Sequence, residues 1–240
     1  MVRQAILAGA TGLVGRECLR LALERYDSVT ALVRRPLKIT HPRLIAREID
    51  FDRMGTIEVP RGAHVYCALG TTIKKAGSEA AFRRVDFDYP RVLAEHAAAA
   101  GDARFILVSS VGASTKSPNF YLRVKGELED AVRAMTFESV HIFQPSILMG
   151  DRDERRTAER IGIVVARATA FLLAGPLRKY RAIPAATVAA AMVAAAQKEA
   201  HGCFVYHYDE IVELAGALRS EDDRVNTASR SQDDRTHKGT

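Results

Sequence analysis

Tyr121 and Lys125 stand four residues apart in NFYLRVKGELED, residues 119–130. On a helix that spacing puts both side chains on one face. The chemistry open to such a pair is acid–base work. A free phenol titrates near about 10 and is a poor acid–base catalyst at neutral pH. An ammonium beside it favours the phenolate and draws the titration towards the working range. Ser109 and Ser110 close the preceding apolar run, RFILVSS, and a serine hydroxyl there could hold a substrate carbonyl. Seven Tyr and eight Lys in 240 residues give about 0.2 such spacings by chance. The pair alone therefore leaves open a plain amphipathic helix with an exposed lysine and a half-buried tyrosine.

A second cluster could hold phosphate. AILAGATGLVGREC places Gly9, Gly12 and Gly15 between the first apolar run and the first helical pattern. A chain that turns sharply, brings its backbone to a pyrophosphate and packs helix on strand needs residues without Cβ at those points. The helix start then offers free N–H groups and partial positive charge. The competing reading is a tight strand-to-helix turn that binds nothing. The next apolar run ends ALVRRP, where an acidic residue would suit a ribose 2′-hydroxyl and an arginine a 2′-phosphate. Arg34 and Arg35 stand there, so NADP(H) is expected ahead of NAD(H). The third run ends EIDFD, which puts Asp50 and Phe51 where they could edge an adenine.

These residues need a frame that brings them to one edge. Apolar runs over 2–8, 28–33, 43–49, 64–69, 104–110 and 139–145 predict strands, and helical patterns lie between most of them. Runs that are apolar throughout predict a parallel sheet covered on both faces. The fold class expected is α/β, a doubly wound parallel sheet with a small C-terminal cap. Only the connection from 43–49 to 64–69 lacks an obvious long helix. One domain is predicted over 1–219, with 151–219 forming a reduced cap. From Ser220 to Thr240 only Val225 and Ala228 are aliphatic, so a disordered tail is expected.

Composition narrows the function. The net charge of +6 raises the question of nucleic acid, but basic pairs are scattered and the densest charged run, 151–156, mixes signs. No nucleic-acid partner is expected. Cys18, Cys67 and Cys203 show no disulfide or metal-ligand spacing, so no metal is expected and a reducing cytoplasm fits. The chain opens without a signal pattern. The apolar stretch Ile161–Gly175, interrupted by Arg167, is too short to span a bilayer. It reads as a buried or interface helix, compatible with a homodimer or a protein partner. His96, His141, His201 and His207 lack ligand spacing and read as structural or surface groups.

The ordered set GATGLVG, CALGTT, FILVSSVGA, YLRVK and QPSILMG, over residues 2 to about 219, resembles the atypical short-chain dehydrogenase/reductases. Within them it is most similar to the Tat-interacting-protein oxidoreductase subfamily and its bacterial relatives. The resemblance implies an NADP(H)-dependent oxidoreductase that moves hydride to or from a small carbonyl or quinone-like substrate. It implies diphosphate contacts from Gly9, Thr11, Gly12, Leu13, Val14 and Gly15, and a 2′-phosphate contact from Arg34. Asp50 and Phe51 would meet the adenine, and Ala68, Leu69 and Gly70 the adenosine ribose side. Tyr121 would be the acid–base, Lys125 its partner and ribose ligand, and Ser110 the substrate-polarising serine with Ser109 beside it. Pro145 and Ile147 would press on the nicotinamide. The wider superfamily often places an Asn in the helix after CALG; Asp86 stands near that place, which leaves the fourth member of the set open. A non-catalytic NADP(H)-binding sensor or scaffold working through a protein partner is the alternative.

Overall fold

The computed structural model describes residues 3–54, 57–150 and 175–237. Strands β1 (Gln4–Ala8), β2 (Ser28–Val33), β3 (Leu44–Glu48), β4 (His64–Cys67), β5 (Arg104–Val108) and β6 (Ser139–Phe143) form where the apolar runs predict them. With β9 (Gly202–Tyr206) they make a seven-stranded sheet, order β3-β2-β1-β4-β5-β6-β9, parallel at every pairing. The doubly wound α/β fold is thus observed. The order reverses between β1 and β4, and such a switch point opens a crevice at the carboxyl ends of the strands.

Both faces of the central strands are covered, which is why those strands carry no polar alternation, whereas the edge strands β3 and β9 are largely exposed. Ala5 and Leu7 of β1 face one core with helices α1 (Leu13–Arg25), α6 (Ala185–Gln197) and α7 (Tyr208–His237). Ile6 and Ala8 face the other, with α4 (Tyr89–Ala100) and α5 (Phe120–Arg133). Among its described residues the β3–β4 connection carries only a 3-10 turn, Phe51–Arg53. Short helices α2 (Ile73–Ala76) and α3 (Glu79–Arg83) follow β4.

One helix reads differently from its sequence. The pattern over 79–101 suggests a single rod, but between α3 and α4 the chain makes a π turn, Arg84–Asp88. Pro90 accounts for it. In a regular helix its ring would strike the Asp86 carbonyl four residues back and withhold the hydrogen bond. The wider turn accommodates the proline and brings Asp86 to 1% exposure.

The C-terminal region also departs from expectation. The two-stranded sheet β7 (Leu148–Met149) with β8 (Ile183–Pro184), and the 3-10 turn Gly175–Tyr180 that precedes β8, are what the described residues show of a cap. Helix α6 instead packs on α1 within the main core, because its alanine, valine and methionine side chains are buried almost all round. Most of the expected 161–175 helix lies outside the described residues. From Ser220, where a disordered tail is expected, α7 continues to His237. Leu214, Ala215 and Leu218 anchor it in the core, and Asp222 forms an ion pair with Arg25 one turn further on. No glycine or proline follows Gly216 within the helix to stop its propagation.

Candidate active site

Each residue group singled out by chemistry follows the carboxyl end of a strand: Gly9 after β1, Arg34 after β2, Ala68 after β4, Ser109 after β5 and Pro145 after β6. The glycine loop is built for close approach. Gly9 has φ +90°, and a Cβ there would lie 2.4 Å from the Ala68 carbonyl oxygen. A Cβ on Gly15 would lie 2.0 Å from the Gly9 carbonyl oxygen, so α1 packs directly on the turn. Gly12 starts α1 with no side chain capping it, and its own N–H donates to the Gly9 carbonyl at 2.9 Å. The first-turn N–H groups of this 13-residue helix therefore have no side-chain cap among the described residues.

A cavity of about 150 Å3 opens over this loop. Gly9, Thr11 and Gly12 floor it, Arg34 and Phe51 stand at one end, and Ala68, Leu69 and Gly70 form the β4 wall. A wider continuation of about 490 Å3 carries Arg34, Asp50 and Phe51. Arg35 is exposed and lines neither cavity. Val14 is buried in the core, so only its backbone can face the crevice, whereas Leu13 is half-buried. Asp50 caps the 3-10 turn by accepting from the Asp52 N–H at 3.0 Å.

Sequence reasoning did not place Tyr89 in this wall. Its ring lies 5.5 Å from that of Phe51, and its hydroxyl donates to Asp52 at 2.6 Å. Burial and the Asp52 carboxylate push the Tyr89 phenol up to about 12. The proline after it, which starts α4, was the available signal that the helix restarts there.

Tyr121 and Lys125 sit on the first turns of α5. Asn119 caps the helix by accepting from the Leu122 N–H at 3.2 Å. The β5–α5 loop folds back on it: the Ser114 N–H donates to the Leu122 carbonyl at 3.1 Å, and a Cβ on Gly126 would lie 2.3 Å from Ser114. The Tyr121 ring packs on Phe82 at 5.6 Å. Lys125 is 4% exposed, and its Nζ lies 2.8 Å from Asp86 Oδ1. Burial alone would lower the Lys125 pKa, but attraction to Asp86 and Tyr121 outweighs it and the pKa is raised. The lysine is held as an ammonium. Its Nζ also lies 4.0 Å from where a Cβ on Gly70 would be, at the cavity wall.

The two serines part company. Ser109 is buried, and its hydroxyl donates to Glu129, which also accepts from Gln144 Nε2 at 2.8 Å and Arg133 at 2.8 Å. That hydroxyl is committed to holding α5 against the sheet. Glu129, four residues beyond Lys125 on the same helix face, was readable from the spacing. Ser110 is half-buried, and its hydroxyl has no hydrogen-bond partner among the described residues. Pro145 is buried, its carbonyl accepting from the Val111 N–H at 3.0 Å, whereas Ile147 is 63% exposed.

A glycine cradle at the switch point of a parallel sheet, with a Tyr–Lys helix after β5, defines an atypical short-chain dehydrogenase/reductase. The chain belongs to the NAD(P)H-binding family, whose model matches residues 9–199. It is 38% identical over 155 residues to the mitochondrial protein FMP52 of Meyerozyma guilliermondii, covering 62% of this chain and 67% of that protein. Protein HTATIP2 of Rattus norvegicus is 35% identical over 164 residues, 65% of this chain and 67% of that protein. FMP52 of Coccidioides immitis is 32% identical over 205 residues, 79% and 83%. Among solved structures, the human epimerase family protein SDR39U1 with NADPH superposes with a TM-score of 0.59 at 17% identity, over 85% of this chain and 74% of that one. MoeE5 with UDP-glucuronic acid and NAD gives 0.64 at 17% identity, over 90% and 82%. These two show the fold.

The relatives correct one expectation. The unpaired cysteines led to a cytoplasmic placement, but several relatives are mitochondrial proteins by name. Free thiols argue against an oxidising compartment and do not tell one reducing compartment from another. No helix among the described residues is long and apolar enough to cross a membrane.

Proposed function

We propose that the protein is an NADP(H)-dependent oxidoreductase acting on a small carbonyl or quinone-like substrate. The observation that carries this reading is the buried Lys125 ammonium, one helical turn from Tyr121 and against Gly70 of the cavity wall. An amphipathic helix with a solvated lysine would have no such group. Gly9, Thr11 and Gly12, with the start of α1, would hold the diphosphate, since a Cβ at Gly9 would collide with the Ala68 backbone and none is present. Phe51 and Asp50 would border the adenine, with Ala68 and Leu69 along the ribose. Arg34 would meet a 2′-phosphate with a planar pair of donors.

Bound in this way, the nicotinamide would supply or accept the hydride. The chain's own part is proton control. Tyr121 would give its hydroxyl proton to the substrate carbonyl oxygen as negative charge develops there, and take it back in the reverse direction. Lys125 would stabilise the phenolate that results. Ser110, its hydroxyl without a hydrogen-bond partner among the described residues, would donate to the same oxygen. Pro145 and Ile147 would cover the nicotinamide side.

NADPH oxidation against a panel of small aldehydes, ketones and quinones tests the reading. Tyr121→Phe should lower kcat by about 10²–10⁴ with NADPH affinity nearly unchanged. A Phe variant as active as the parent ends the assignment, and NADPH binding with no turnover across the panel returns the protein to the sensor class. Arg34→Ala should remove most of a roughly ten- to hundredfold preference for NADPH over NADH, the worth of one charge-assisted hydrogen bond. A parent that binds NADH as tightly as NADPH leaves Arg34 as a surface charge.

A further inference from the structure

Asp86 lies in the π turn, is 1% exposed, and is the only acidic partner in contact with Lys125 among the described residues. Its two carboxylate oxygens have separate tasks. Oδ1 accepts from Lys125 Nζ at 2.8 Å, and Oδ2 accepts from the Thr71 N–H at 2.8 Å. Thr71 follows Gly70 in the β4–α2 loop, and Val85, the residue before Asp86, lines the same cavity as Gly70. Lys125 comes from α5, on the far side. One buried carboxylate thus joins three segments of the site: the π turn, the cavity-lining loop and the Tyr–Lys helix.

We infer that Asp86 is a positioning residue that fixes Lys125 to the cofactor-lining loop, and that the position requires a carboxylate because both of its partners are donors. An asparagine there has the same shape but one acceptor oxygen, so its amide nitrogen would face either the ammonium or the Thr71 N–H. The cost falls on buried groups, where an unmet donor is expensive. An unpaired Lys125 at this depth would also lose the attraction that keeps it charged. Gly70 completes the arrangement: a Cβ there would sit 3.4 Å from Asp86 Oδ1, so the missing side chain leaves the strut against the cavity wall. The functional half of this inference rests on the cofactor reading above, whereas the tether between Asp86 and Thr71 does not.

The test is a double-mutant cycle, Asp86→Asn, Lys125→Met and the two together, read by NADPH titration, melting temperature and amide exchange over residues 68–76 without nucleotide. Asp86→Asn should weaken NADPH about tenfold, the worth of one charge-assisted hydrogen bond. Lys125→Met should weaken it at least as much, and the double variant should bind no worse than Lys125→Met, because Asp86 acts through the lysine. Exchange over 68–76 should quicken about tenfold in Asp86→Asn. Unchanged NADPH affinity beside a lowered melting temperature makes Asp86 merely structural and overturns the inference. Losses that multiply in the double variant overturn it too, since the residues then act separately. If Asp86→Asn does not fold, Lys125→Met decides by itself: faster exchange at 68–76 supports the coupling and unchanged exchange refutes it. If the parent does not take NADPH, the cofactor reading falls, and exchange in Asp86→Asn alone judges the tether, quickened in support and unchanged against.

Discussion

His64 and His141 make the stability of this fold depend on mild acid. His64 opens β4, where its Nδ1 lies 2.6 Å from the Tyr26 hydroxyl, itself 2.7 Å from that of Tyr66. His141, in β6, is fully buried between Ser139 Oγ and the Tyr206 hydroxyl, each at 3.0 Å. Burial, then the Arg104 guanidinium, lowers both imidazoles from 6.5 to about 4. Glu138 opposes this at His64 but is itself occupied by Arg104, at 2.9 Å. Both histidines are therefore neutral in the folded protein through the weakly acidic range.

In the unfolded chain they bind protons from about pH 6.5 downwards. The unfolded state then holds more protons, so stability falls as pH falls, over the window from about 6.5 to about 4. Between pH 7 and 5 each histidine contributes a loss of about 2 kcal/mol, and the pair about 4 kcal/mol. Against a total of about 5–15 kcal/mol that is a large share. It corresponds to a drop of about 8–15 °C in Tm for a chain of this size. Glu138, whose pKa is lowered mainly by its bond to Arg104, loses its contribution as pH falls from the ordinary carboxylate value of 4.5 downwards, below the range from pH 7 to 5. Urea unfolding at pH 7, 6 and 5, followed by circular dichroism, measures the effect directly. His64→Gln and His141→Gln should each remove about half of the pH dependence, whatever they do to stability at pH 7. A midpoint that stays level from pH 7 to 5, at constant m, would show that one or both rings are protonated in the fold and would refute the reasoning.

Two further outcomes test the frame of the site. Gly9→Ala combines a backbone at φ +90° with a Cβ only 2.4 Å from the Ala68 carbonyl oxygen, so the loop must open. It should cost about 1–3 kcal/mol of stability and nearly all NADPH binding; a variant that binds as the parent does would place the phosphate cradle elsewhere. Ending the chain after Ser220 removes Asp222 and leaves Arg25, 11% exposed, with only its neighbour Glu24 as an acidic partner among the described residues. A fall of about 2–6 °C in Tm is expected, whereas ending it after Arg224 should cost less; equal melting would show that the α7 extension contributes nothing.

How far the sequence reaches depends on how local each determinant is. The glycine cradle could be read because its demands, a turn, a close approach and a helix start, fall within seven residues. The Tyr121–Lys125 face, and Glu129 beyond it, follow from helix geometry alone. The central strands could be read because burial on both faces leaves no polar alternation. Three features could not be read in this way, and each depends on partners distant in the chain. Helix α6 looks like part of a cap because nothing in AATVAAAMVAAAQ says that its neighbours are α1 and α7. The extension of α7 past Ser220 carries almost no apolar residues, and its visible anchor is an arginine 197 positions away. Ser109 and Ser110 are indistinguishable as letters; only Glu129, brought in by α5 and itself held by Gln144 after β6, claims the first and leaves the second.

Asp86 shows why the gap falls at the chemical centre. Its neighbours Arg84, Phe87 and Asp88 suggest a solvent-facing helix, and the nearest strong signal, Pro90, looks like an ordinary helix start. The same proline prevents a regular turn at Asp86 and so turns the carboxylate inward, where a lysine from another helix and an amide from another loop both need an acceptor. A local rule is broken, and the compensation lies in groups that only the tertiary fold supplies. That is the physical basis for expecting function at this position. A buried, doubly accepting carboxylate costs desolvation, so the pair holds Lys125 beside the crevice at some expense to the stability that two apolar residues would provide.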